Sequence, residues 1–110
     1  LAAPTRYASL NGVQLIAAER TRQVADEGWT PEHDDTHRKH EMALAASSYI
    51  AAVASPDEEG DEAGKVRPCF DWPWSKKWWK PSSDPIRNLV KAGALIAAEI
   101  DRLQRAKKPC

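Results

Sequence analysis

Apolar residues recur at three- and four-residue spacing in three stretches of this chain, and they nowhere alternate with polar ones over more than a few positions. That period marks helices with one face against a core, and the missing alternation argues against strands. The first stretch carries Val13, Ile16, Ala17, Arg20 and Val24. Asn11, with Gln14 three residues on, has the spacing of an N-cap and its capping-box partner, and Gly28 supplies a stop, so a helix is predicted over 11–27. Arg20 interrupts the stripe. Its stem is expected to lie along apolar surface while its guanidinium reaches a carboxylate. Gly28 in the left-handed conformation would turn the chain sharply and let Trp29 fold back over the helix it has just left.

The second stretch runs through Ala43, Ala46, Tyr49 and Val53. Asp34 or Asp35 is the expected N-cap and Ser55-Pro56 the end, which predicts a helix over 35–54. In the third, Ile86, Leu89, Val90, Gly93, Ile96, Ala97, Ile100 and Leu103 form a continuous stripe. Asp84 is its N-cap, Pro85 its first helical residue, and Gly93 permits close approach of another helix, over a predicted span of 84–106. Arg102, Arg105 and Lys107 suit the negative end of that helix. These elements imply an all-α fold, a compact three-helix domain with an irregular Trp-rich connection between the second and third helices.

The chain is 110 residues long, enough for one domain with a single core, read here as one helical unit over 1–110. Residues 1–10 lack periodicity and read as a loose N-terminal arm without the features of a signal peptide. Residues 56–64 combine a proline, two glycines and five acids, the composition of a flexible acidic loop. Sixteen basic residues balance sixteen acidic ones, which argues against generic nucleic-acid or anionic-membrane binding, so charge-based recognition must be local. Two cysteines build no disulfide framework, and no stretch is long and apolar enough to span a membrane; both suit a cytoplasmic setting.

The residues that carry chemistry concentrate in 27–41, E-G-W-T-P-E-H-D-D-T-H-R-K-H-E, which holds all three histidines. Asp34, His37 and Glu41 at three- and four-residue spacing would share one helical face and offer a carboxylate, an imidazole and a carboxylate to a divalent ion such as Mg or Mn, with Glu19 completing the set. The plainer reading makes Asp34 or Asp35 a cap and leaves His37, His40 and Glu41 in surface pairs. Residues 70–80, F-D-W-P-W-S-K-K-W-W-K, hold four of the five tryptophans. Tryptophans beside lysines form stacking platforms for bases, and they are also the bulkiest groups available to cover alanine-rich helices. Trp78 and Trp79 cannot face the same way in an extended segment, so core and ligand roles are expected to be divided among the tryptophans.

The segments E-R-x-R-Q (Glu19 to Gln23), E-G-W-T-P-E-H-D-D-x-H (Glu27 to His37), W-W-K-P (Trp78 to Pro81) and R-N-L-V-K-A-G-A-L-I-A-A-E-I (Arg87 to Ile100) resemble a group of small bacteriophage and prophage proteins. A weaker resemblance is to the RyR domain, whose pattern is echoed by Arg20, Gly28-Trp29, Asp34-Asp35 and Lys39-His40. The likeness implies a compact helical module that holds a ligand between helix and loop.

The sequence lacks an evident nucleophile with a base, which favours a binding protein over an enzyme. The expectation is a phage accessory, counter-defence protein that takes a nucleotide-type small molecule or a host defence component without catalysis. Its ligand-binding residues would be Arg20, Trp29, His33, His37, Trp78, Trp79 and Lys80, with backbone N–H groups after Asp35 aimed at a bound anion. One alternative is a metal-dependent nucleotide hydrolase using Asp34, His37 and Glu41. Another is a protein-binding inhibitor of a host immune complex that acts through Trp78 or Trp79. Three alanine-rich helices bury little area each, so a homo-oligomer sharing the Gly93 face is also expected.

Overall fold

A computed structural model describes residues 9–54 and 72–107. The expected acidic loop over 56–64, and all but the last two residues of the expected arm over 1–10, lie outside them. Three long helices, α1 (Gly12–Glu27), α3 (Glu41–Ala54) and α4 (Pro85–Lys107), are joined by the short helix α2 (Pro31–Asp34) and by a segment with one 3-10 turn, Lys76–Trp78. No strand occurs among the described residues, and the architecture is the all-α, three-helix one that the apolar spacing implies.

The helix ends follow local chemistry. Asn11 and Gln14 form a reciprocal capping box, each side chain accepting from the other's backbone N–H at 2.9 Å. Gly28 closes α1 in the left-handed region (φ 74°), and the N–H groups of Gly28 and Trp29 both reach the Gln23 carbonyl. Trp29 then packs against the core. Asp84 accepts the Ile86 N–H at 2.9 Å and opens α4 as expected.

The entry to α3 differs from the expectation. Thr30, not Asp34 or Asp35, acts as a cap; with Pro31 at the first helical position it starts α2, and α3 begins only at Glu41. His40 lies between them in a left-handed conformation (φ 62°) that redirects the chain. The supposed single face of Asp34, His37 and Glu41 is therefore broken by a turn.

The buried faces differ more. Met42, Ala45, Ala46, Tyr49 and Ala52 of α3 meet Ala92, Leu95 and Ala98 of α4, with Trp79 laid over them. On α1, however, the buried residues are Glu19 and Gln23, while Val13 of the apolar stripe is 79% exposed. On α4 the interior takes Asn88, Glu99 and Arg102 among small apolar residues, and Ile86, Leu89, Ile96 and Ile100 stay exposed. Gly93 serves as predicted for close approach, but the approaching helix is this chain's own α1: a Cβ there would stand 2.5 Å from Ile16 Cδ1. The expected oligomer face at Gly93 is thus covered from within the chain at that point.

Candidate functional site

A cavity of about 600 Å³ opens between α1, the 28–37 turn region, α3 and the 72–80 segment, with Leu95 and Ala98 of α4 contributing to its lining. That volume falls in the range of small-ligand sites. Aromatic groups form much of the wall. His33 meets His37 edge-on at 5.1 Å, His37 lies 5.1 Å from Trp74, and Trp74 lies 5.5 Å from Trp72. Trp72 is anchored to the core through Tyr49 (5.8 Å) and Trp79 (4.9 Å), and its indole Nε1 donates to the Ser75 carbonyl at 3.1 Å. The Pro73 and Pro81 breaks and the short 3-10 turn keep this segment irregular, so successive tryptophans point to different places. Trp78 is 56% exposed with Lys77 Nζ 5.3 Å above its ring.

The polar wall comes mainly from α1. Glu19 accepts from Arg22 through both oxygens at 2.9 Å, from Arg87 of α4 at 2.7 Å and from Gln23 Nε2 at 3.1 Å. Burial pushes its carboxyl up, but the hydrogen bonds and charges of Arg22 and Arg87 outweigh that and hold it below the ordinary value. Asp34, also buried, forms an ion pair with Arg20, whose guanidinium also donates to the Trp29 carbonyl at 3.2 Å. Here burial prevails over Arg20, and the carboxyl lies above its ordinary value. Lys91 donates to the Lys80 carbonyl at 2.8 Å and lies 5.5 Å from the Tyr49 ring, and burial lowers its pKa.

Of the residues expected to bind a ligand, Arg20, Trp29, His33, His37, Trp78 and Lys80 line the cavity. Trp79 does not; it is buried against Tyr49 at 4.8 Å. The backbone N–H groups expected to face an anion are already engaged: those of Asp35, Thr36 and His37 donate to the carbonyls of Pro31, His33 and Asp34. For the metal alternative, His37 Nδ1 stands 3.8 Å from Glu41, Asp34 is tied to Arg20, and no group of three potential metal ligands converges among the described residues. Sequence reasoning missed Gln23, Trp74, Tyr49 and Lys91 as lining residues. The only local signal for Gln23 was its place four residues after Glu19.

Comparison of the chain with protein-family models, with curated proteins and with solved structures gives no match. Among the described residues, no helix is long and apolar enough to cross a membrane. The cavity's own chemistry is therefore the basis for its reading.

Proposed function

We propose that this chain is a phage or prophage accessory protein that holds a nucleotide-type small ligand in the 600 Å³ cavity without chemical turnover. One observation carries the reading: a single cavity brings together flat aromatic faces, from Trp29, Trp72, Trp74 and Trp78, and cationic or donor groups, from Arg20, His33, His37, Lys80 and Lys91. Bases stack on the former and phosphates pair with the latter. The hydrolase alternative would need carboxylates free to hold Mg or Mn, whereas Glu19 and Asp34 are engaged by arginines.

The test is calorimetric titration of wild type and His37→Ala with linear and cyclic nucleotides, with and without Mg or Mn, while product is followed. Saturable binding without turnover, weakened in His37→Ala with its melting temperature held within a few degrees, is the expected result. Metal-dependent turnover would replace the binding reading with the hydrolase one.

A second reading rests on the exposed indole of Trp78. A protrusion of this kind suits the hot spot of a protein interface, and it supports an inhibitor of a host defence component. Capture of a host protein that Trp78→Ala abolishes, with no nucleotide bound by wild type, would favour it. The partner reading also includes a homo-oligomer. Ile86, Leu89, Ile96 and Ile100, spaced three, seven and four residues apart, lie exposed on α4 on either side of the Gly93 contact with α1, an apolar surface of the kind by which helices pair with one another. Sedimentation should show a dimer that Ile96→Glu converts to monomer; a wild-type monomer at high concentration would remove this part.

A further inference from the structure

Gln23 is 2% exposed and lines the cavity, yet its Oε1 is the one buried side-chain polar atom among the described residues without a hydrogen-bond partner. Its orientation is fixed by its neighbour. Nε2 donates to Glu19 Oε2 at 3.1 Å, and exchanging the two amide atoms would set oxygen against a carboxylate oxygen. Glu19 is an acceptor, satisfied by Arg22, Arg87 and Gln23, and has no proton to give Oε1. Buried acceptors are almost always satisfied in folded proteins, and an orphan beside a cavity is a place for a donor that the described residues do not supply.

We infer that the cavity's ligand seats a nucleobase amino group on Gln23 Oε1, which makes the Glu19–Gln23 turn of α1 the base-reading end of the site. This inference rests on the nucleotide reading above and assigns the ligand a direction. Gln23 Oε1 is an acceptor that can take an N–H and has no proton to give a phosphate oxygen, so the base lies at Gln23. The phosphates lie toward His33, His37 and Lys80, which come from other elements. The arrangement also sets specificity. A base that lacks the amino group leaves Oε1 unpaired in the complex as it is in the free protein, and gains nothing from this contact.

The experiment compares two ligand pairs by calorimetry: adenosine 5′-monophosphate against purine riboside 5′-monophosphate, and guanosine 5′-monophosphate against inosine 5′-monophosphate. Each pair differs by one amino group. In at least one pair the amino-bearing nucleotide should bind wild type about tenfold tighter, the span expected of one buried hydrogen bond. Gln23→Met, close in volume and without the acceptor, should bring that ratio to about one. It should also leave the melting temperature of the free protein within a few degrees, because the uncompensated acceptor goes together with the Nε2 bond to Glu19, which Arg22 and Arg87 still hold. A Gln23 with a merely structural role would give a lowered melting temperature and an unchanged ratio. If the variant does not fold, the wild-type ratio decides alone. Binding of nucleotides with neither pair discriminated overturns the base-reading assignment and leaves the binding cavity standing. Binding by none of the four, when other anionic ligands also fail, overturns both.

Discussion

The same local device is used twice in this molecule with different consequences. On α1, Glu19 is gripped through both oxygens by Arg22, three residues on; on α4, Glu99 is gripped through both oxygens by Arg102, again three residues on. Each carboxylate then takes a long-range partner, Arg87 at 2.7 Å for Glu19 and His40 at 2.7 Å for Glu99. The Glu99 knot is closed on α4, where Glu99 and Arg102 are both buried, and its exposed member, His40, ties the turn before α3 onto α4. The Glu19 knot is open. Arg22 is 36% exposed against 8% for Arg102, a cavity lies alongside, and the neighbouring Gln23 keeps an acceptor in reserve. Of these two buried ion pairs, only the one at Glu19 has an unpaired polar neighbour beside the cavity.

The largest effect that sharpens this contrast is on stability. Arg102→Met leaves Glu99 buried with His40 alone and should cost about 3 kcal/mol in urea unfolding. Arg22→Met should cost about 1 kcal/mol, because its own side chain is partly in solvent and Arg87 still holds Glu19. Equal losses would break the distinction between closed and open knots.

The pH dependence of stability gives a smaller effect. Hydrogen bonds from Arg102 foremost, and from His40, lower the Glu99 carboxyl against burial, and Arg22 with Arg87 lower that of Glu19, each from an ordinary value near 4.5. A depressed carboxyl contributes stability that is fully present above the unfolded value and is lost as the pH falls through the folded one. Stability should therefore decline below about pH 4.5, and Glu99→Gln or Glu19→Gln should flatten that decline. Asp34 has the opposite sign. Burial raises it above 3.8, so its ionisation opposes folding as the pH climbs past that value, and Asp34→Asn should steepen the acid decline. Unchanged acid limbs in all three variants would show that these carboxylates titrate alike in the folded and unfolded chain.

The sequence made the helix ends legible because caps are local. Asn11 with Gln14, Gly28, and Asp84-Pro85 each act within a few residues, and the structure uses all of them. Thr30-Pro31 is not read as a cap from the sequence, because Asp34-Asp35 just after it offers two conventional caps. What selected Thr30 is tertiary: Asp34 is drawn to Arg20 and Asp35 to Arg105 of α4 at 2.7 Å. The inward faces were harder to read. Apolar periodicity turns the stripes of α1 and α4 inward, whereas Glu19 and Glu99 lie inside, each held by an arginine three residues on and by a partner, Arg87 or His40, that is 68 or 59 positions away in the sequence. No local window contains that information. Of the seven residues expected to bind a ligand, six line the cavity and Trp79 does not: tryptophans beside lysines announce a surface, but only packing decides that Trp79 is core and Trp78 is rim.

The most direct test of the cavity follows the indole Nε1–H resonances of all five tryptophans while nucleotide is titrated into the labelled protein. Trp29, Trp74 and Trp78 line the cavity and should shift and saturate together, with Trp79, buried against Tyr49, moving least. A titration that leaves Trp29 and Trp74 unmoved at saturating nucleotide would contradict the assignment of this cavity as the binding site.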